Sequence, residues 1–433
     1  MPSTRDSTRV NEAMRIAIVT VGSLGDVQPY IALGSGLRAA GYHVRLATHA
    51  HYEAVARSRG LDFFPLAGDS HEILGSDAGR RWQGTGRNVL RFWLGFIRIV
   101  EPLMSQVLTQ CWHACQDAEV IIASLLGFPA SYHVAEKLRV PLVPAFYLPL
   151  SPTRAFPSVM LAMDPALGGT FNRWTHLMAG QLLWEPLRPV LNRLRREVLD
   201  LAPLGFRRVT SEFFAERWPI LYGYSPAVLP KPVDWGDRIH VTGYWFLDRP
   251  PAWQPPPGLI EFLEAGPPPV YVGFGSMQLP NAAAKTELVG RALAATGRRG
   301  VLLTGRSGLR KDRLPDNVFG VESVPHDWLF PRVEAAVHHG GAGTTAAALR
   351  AGIPSVVVPF FADQPFWGWH LARLHVAPSP IPHRRLTFER LADAIHVATS
   401  DRDMKHRAAA LGARIQADNG VARAVEAVRH HFG

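Results

Sequence analysis

The sequence predicts an α/β protein made of two doubly wound parallel-sheet domains that face each other across a cleft. Three observations carry this. Short β-branched apolar runs alternate with stretches of helical periodicity, a pattern that implies parallel strands with helices on both faces. The alternation runs twice, once on each side of a Pro-rich stretch. At 433 residues the chain is also long for one core, and a length of this order favours about two to three domains.

In chain order, "MRIAIVT" reads as the first strand, followed by the loop "GSLGDVQP" and by "YIALGSGLRAAG", a helix starting near Pro29 and closing on Gly41. "YHVRLATH" is the second strand, and "AEVIIASLL", "PLVPAFYL" and "PILYGYS" are further ones. "LDRPPAWQPPPG" then carries Pro250, Pro251 and Pro255 to Pro257, a composition that stiffens a linker. After it come "PPVYVGFGS" as strand, "AAAKTELVGRALAATG" as helix, and "RGVLLTG", "FGVES", "AAVHH" and "PSVVVPF" as strands. The expected division is a first domain over 14–245, a linker over 246–258 and a second domain over 259–433, whose last helix is placed to pack back on the first.

Composition narrows the partners. The formal charge of +10 favours an anion. Basic residues are spread along the chain and no nucleic-acid module is recognisable, so nucleic acid is not expected. Two stretches, "LRPVLNRLRREVL" and "RNVLRFWLGFIRIV" with Arg87, Arg91 and Arg98, suit either a peripheral contact with anionic lipid or a solvated helix face. The polar N-terminus has no signal-peptide core and no apolar run is long enough to span a bilayer. Cys111 and Cys115 form neither a disulfide framework nor a strong zinc site, which fits a reducing cytosol. The expected location is cytoplasmic, with membrane association left open.

Ligands of such sheets bind outside the carboxyl ends of the strands. In "AAVHHGGAGTTAAALRAG" a strand ends at His338 and His339, and a helix begins in the segment that follows. The first N–H groups of that helix have no intrahelical partner, and Gly340, Gly341 and Gly343 let an anion approach them. A Gly-rich turn with a Thr cap is the plainer reading of the same residues. "YVGFGSM" ends another strand with Gly273, Gly275 and Ser276, and "PFFADQ" follows a third with Asp363 and Gln364, whose carboxylate and amide suit sugar hydroxyls. Phosphate beside polyol points to a nucleotide sugar.

Together, "HHGGAGTT…AGIPSVVVPFFADQ" and "ESVPHDWLF" resemble the donor signature of inverting family 1 glycosyltransferases of the GT-B fold, whose two domains are Rossmann-like. Within that family the chain most resembles the fungal and bacterial sterol glucosyltransferases and the glycosyltransferases of glycopeptide antibiotics. The likeness is good over the C-terminal half and specific in the loop "GSLGDVQP"; the stretch from about 70 to 215 matches little. The resemblance implies that His338 contacts the donor diphosphate, with His339, Gly340, Gly341, Gly343, Thr344 and Ser276 beside it. It places Val324 and His326 where the family holds the nucleobase and ribose, although plant members have a Trp-x-Pro-Gln pattern there. Asp363 and Gln364 correspond to the pair that binds the donor sugar.

Plant members carry Gly-His-x-x-Pro in the first loop, where the histidine is the base. This chain has Gly25-Asp26-Val27-Gln28-Pro29, and the glycopeptide enzymes likewise have an aspartate there, so Asp26 is the candidate base, with Gly22, Ser23 and Gly25 forming the acceptor loop. As a residue just before a helix, Asp26 could instead serve as an N-cap. His43, His49 and His51 flank the second strand and either line the cleft or, more simply, are surface or packing residues. Ser124, Leu125, Phe146 and Tyr147 end strands of the acceptor domain, where an apolar acceptor such as a sterol, polyketide or terpenoid would fit.

The expected reaction is inverting transfer of a hexose, glucose foremost, from a nucleoside-diphosphate sugar, UDP-glucose foremost, to a hydroxyl of a hydrophobic small molecule. dTDP donors stay open. No cofactor or metal is expected beyond the nucleotide sugar as co-substrate, since Asp401-Arg402-Asp403 reads as a helix cap. A nucleotide-sugar 2-epimerase of similar architecture and a non-catalytic nucleotide-sugar-binding protein are the alternatives.

Overall fold

The computed structural model describes residues 13–68, 79, 89–161, 168–275, 277, 281–305, 309 and 314–433. Its first sheet contains β1 (Arg15–Val19), β2 (His43–His49), β3 (Asp62–Leu66), β4 (Val120–Ala123), β5 (Leu142–Phe146), β6 (Ile220–Tyr222) and β7 (Ile239–Val241). These pair in the order β3-β2-β1-β4-β5-β6-β7, every pair parallel. The second sheet contains β8 (Val270–Gly273), β9 (Gly300–Leu303), β10 (Val318–Val321), β11 (Ala335–His338) and β12 (Ser355–Val357), ordered β10-β9-β8-β11-β12 and again parallel. Central strands such as β4 and β5 are buried along their whole length, because helices cover both faces.

β3 and β7 lie at the two edges of the first sheet, and the apolar-run pattern does not predict them. β3, "DFFPL", carries a Pro and is mostly uncovered, both features of an edge strand, and β7 has only three residues.

The first helix also starts earlier than predicted, running Leu24–Ala39 with Ser23 as N-cap. Pro29 sits near enough to the N-terminus that its missing N–H orphans a single carbonyl. Asp26 is therefore inside the first turn, at the third helical position, and completes a capping box with Ser23.

The last helix, Gly420–Phe432, belongs to the first domain's core: Ala424, Val425 and Val428 pack with Ile18, Leu33 and Leu37. Gly420 permits this, since a Cβ there would meet the backbone of Gly243 and Tyr244.

Within "LRPVLNRLRREVL", Arg195 is 1% exposed. Its guanidinium makes two bonds to Glu136, at 2.8 and 3.0 Å, and donates to the Ala202 carbonyl at 2.8 Å. That cation holds helices together and faces no lipid, whereas Arg193 and Arg196 are exposed. Of the other basic stretch, Arg98 is exposed and Arg87 lies outside the described residues. Cys111 and Cys115 are buried free thiols. Among the described residues no helix is long and apolar enough to cross a membrane.

Candidate active site

A cavity of about 2420 Å³ lies between the sheets, lined by the loops that follow β1, β5, β8, β10, β11 and β12 and by the linker. All of these are carboxyl ends of parallel strands, so the topology itself converges them on one space.

The second domain supplies an anion cradle. The helix Ala342–Arg350 follows β11 with Gly341 as N-cap and no side-chain cap, which leaves the N–H groups of its first turn without intrahelical partners. Gly341, Gly343 and Thr344 line the cavity.

The two histidines before this helix have different places. His339 lines the cavity beside Gly275 and Gly341, and burial lowers it to about 4. His338 is 0% exposed within β11 and is not part of the lining; its Nδ1 accepts the Gly340 N–H at 3.1 Å, and burial lowers it to about 3. Both rings are therefore neutral near pH 7. The His338 ring lies behind the lining with its Nε2 without a partner among the described residues, and the next residue, His339, stands at the cavity face. Gly340 is likewise structural: its N–H is used by His338, its φ is +86°, and a Cβ would lie 2.7 Å from Val357 Cγ1. Ser276 lies outside the described residues.

At the rim, Val324 and His326 line the cavity. His326 stacks on Phe330 with ring centres 4.4 Å apart and its Nε2 is 3.3 Å from the Tyr271 hydroxyl; burial lowers it to about 4. Trp253 of the linker meets Trp328 at 5.3 Å, and Arg332 lies over Trp328 at 4.5 Å. Asp248–Arg350 and Arg249–Asp327 ion pairs, both at 2.8 Å, fasten the linker to the second domain.

Asp363 and Gln364 follow the left-handed Ala362, whose φ is +55°, and both line the cavity. Protein on all sides raises the Asp363 carboxyl to about 7, and the charge of Asp26 adds to this; the nearby Trp367 indole opposes it without reaching hydrogen-bond geometry. Asp363 nevertheless keeps a partly exposed edge toward the cleft. Gln364 is 5% exposed. Its Oε1 accepts the Phe360 N–H at 2.8 Å, and its Nε2 meets the Met277 sulfur at 3.7 Å. The carbonyl end thus shapes the loop, and only the amide end is free to meet a ligand.

The first domain supplies Asp26. Its Oδ2 accepts both the N–H and the hydroxyl of Ser23, each at 2.8 Å, and its Oδ1 accepts the Tyr147 hydroxyl. Asp26 is half-buried and lines the cavity with Gly22, Ser23 and Gly25. The capping and site readings of Asp26 are thus compatible in one geometry. The two domains come close here: a Cβ on Gly343 would lie 3.7 Å from Gly25 Cα.

His49 also lines the cavity, where its Nε2 accepts the Gly22 N–H at 3.0 Å, while His43 and His51 are exposed. The first domain's wall is mainly apolar, with Leu103, Met104, Leu125, Phe146, Leu183 and Trp184 among its residues beside polar ones such as Gln28, Arg59, His176 and Thr210. Ser124 is turned away and caps the next turn through Gly127 N–H at 3.1 Å. Asp401 accepts the Met404 N–H at 2.9 Å as an N-cap, and no group of three metal-ligating side chains occurs among the described residues.

Comparison with known proteins agrees with this layout. Residues 16–157 match the family model "Glycosyltransferase family 28 N-terminal domain", and residues 300–428 match "Erythromycin biosynthesis protein CIII-like, C-terminal domain". The chain is 37% identical over 441 residues to a sterol 3-beta-glucosyltransferase of Cryptococcus neoformans, covering 96% of this chain and 27% of that one. It is also 37% identical over 433 residues to a sterol 3-beta-glucosyltransferase of Arabidopsis thaliana, covering 97% and 66%. The chain belongs to the glycosyltransferases of the GT-B fold. It spans about a quarter to two thirds of the length of these relatives. The calicheamicin glycosyltransferase CalG4 has the same fold, with a TM-score of 0.69 at 18% identity over 97% of this chain and 98% of that one.

Sequence reasoning missed two parts of this glycosyltransferase's cavity. Tyr147 reads as one more acceptor-wall aromatic, although its place just past β5 puts it among the loops that carry function. The linker's Trp253 reads only as part of a spacer, because nothing local shows that it folds over the second sheet.

Proposed function

We propose that this glycosyltransferase moves glucose from UDP-glucose to the hydroxyl of a sterol or a similarly apolar alcohol, with inversion at the anomeric carbon. The observation that carries this is the joining, in one cavity, of a carboxylate, an uncapped helix N-terminus and an apolar wall. The names of the relatives support sterol and glucose. The N-terminus of helix Ala342–Arg350 and His339 hold the diphosphate, Val324 and His326 face the nucleoside, and Asp363 with the amide of Gln364 holds the sugar.

The acceptor oxygen attacks the anomeric carbon while the bond to the diphosphate oxygen breaks, and UDP leaves on the opposite face. The helix dipole and the neutral His339 stabilise the charge gathering on the leaving group. The acceptor proton passes to Asp26 late, as the new C–O bond raises the acidity of the hydroxyl. No metal or further cofactor takes part in this scheme.

The apolar wall favours transfer over epimerisation, which needs no acceptor slot. The experiment is incubation with UDP-glucose alone and with a panel of sterols and other apolar alcohols, read by mass spectrometry. Glucoside formed only with an acceptor is expected. An epimerised donor without acceptor, or donor binding without any turnover, would overturn the reading.

A further inference from the structure

We propose that the Tyr147 hydroxyl is the positioning group for the Asp26 carboxylate, aiming its Oδ1 at the acceptor. This rests on Asp26 being the base.

The geometry around the carboxylate is asymmetric. Oδ2 takes two bonds from Ser23, and Gly22 packs so tightly on it that a Cβ there would lie 2.6 Å away. That oxygen has no room for a substrate. Among the described residues Oδ1 takes the Tyr147 hydroxyl alone, so its second lone pair is the one left for an acceptor proton.

The backbone of the loop is pinned separately. The Thr20 hydroxyl donates to the Asp26 carbonyl at 2.9 Å and His49 accepts the Gly22 N–H. With the main chain fixed and Oδ2 held by Ser23, the Tyr147 hydroxyl is the contact that sets the direction of Oδ1. Tyr30, the neighbouring phenol, cannot substitute, because its hydroxyl donates to the Ala145 carbonyl at 2.5 Å.

Four titratable groups face this arrangement from the surrounding elements. They are Tyr30 on Asp26's own helix, Tyr147 past β5, His49 at the end of β2, and Asp363 across the cleft past β12. Burial, and to a lesser degree the charge of Asp26, raise the Asp363 carboxyl across the cleft. Asp26 has three donors on its oxygens, while Asp363 has its own backbone N–H and, farther off, the Trp367 indole.

Tyr147→Phe keeps the ring in the cavity wall and removes only the hydroxyl. A hydrogen bond to an ionised carboxylate favours that form, so its loss moves the acid limb of kcat/KM to higher pH by about one unit. kcat falls by about tenfold or more, while the KM for UDP-glucose, UDP affinity and Tm stay near wild type.

The test is a set of pH profiles of kcat/KM for wild type and Tyr147→Phe, with UDP calorimetry and melting curves, and with Asp26→Asn assayed beside them. Ser23→Ala is a second donor deletion in case Tyr147→Phe folds poorly; it moves the limb in the same direction. Limbs of both variants at the wild-type pH, with Asp26→Asn inactive, would overturn the positioning role alone. Near-normal turnover by Asp26→Asn would overturn the base assignment itself, so the two failures are told apart.

Discussion

Replacing the two adjacent histidines one at a time separates anion binding from folding. His339 lines the cavity and His338 does not, although one peptide bond joins them. With its pKa lowered to about 4, His339 is neutral at pH 7 and offers one N–H to the diphosphate. A hydrogen bond to a charged group contributes about 1.5–3 kcal/mol, so His339→Ala weakens UDP binding about 10- to 150-fold with little change in Tm. His338→Ala acts elsewhere. It leaves a cavity at a fully buried site and takes the acceptor from the Gly340 N–H, at a combined cost of about 2–4 kcal/mol. For a domain of this size that lowers Tm by about 5–15 °C. Isothermal titration with UDP and scanning calorimetry on each variant read the two effects. A His338→Ala protein with normal Tm and lost UDP affinity, beside a His339→Ala protein that binds UDP normally, would refute the assignment.

Two further outcomes follow from the same cavity. Asp363 stays protonated in the folded protein up to about pH 7, while in the unfolded chain it ionises above about 3.8. The raised value therefore costs stability that grows from about pH 4 to 7 and is constant above. Asp363→Asn removes this cost and raises stability at pH 8 by about 1–2 kcal/mol after allowance for water in the cleft, with no gain at pH 3.5, while glucosyl transfer falls; equal stability changes at both pH values in scanning calorimetry would contradict it. Transfer should also survive EDTA, since a helix N-terminus and a neutral imidazole take the charge of the leaving group; a loss on chelation that magnesium or manganese restores would contradict this.

The fold was legible wherever burial forces a pattern. Most strands of the two sheets, such as β4, β5, β8 and β9, are short apolar runs, because both of their faces are covered. β3 and β7 escaped because β3 carries a Pro and is mostly uncovered and β7 has only three residues, one of them buried. The glycine-rich loop could be read from Gly340, Gly341 and Gly343, but which histidine faces the cavity could not, since that depends on where β11 stops and which way its last residue points. Likewise Asp26 had two readings, cap and base, that sequence sets against each other. The capping box uses only Oδ2, so the structure lets Oδ1 serve the site. The Tyr147 contact joins residues 121 positions apart and has no local signal at all.

The central claim is that Asp26 takes the acceptor's proton while the second domain holds the donor, and Asp26→Asn tests it most directly. Asn caps helices about as well as Asp, so folding and UDP affinity should stay near wild type. A positioned base contributes about 10²- to 10⁴-fold, and glucoside formation measured under saturating UDP-glucose should fall by roughly that factor. An Asp26→Asn protein that forms glucoside at a near-normal rate, with Asp26→Ala merely less stable, would show that Asp26 is a cap and nothing more.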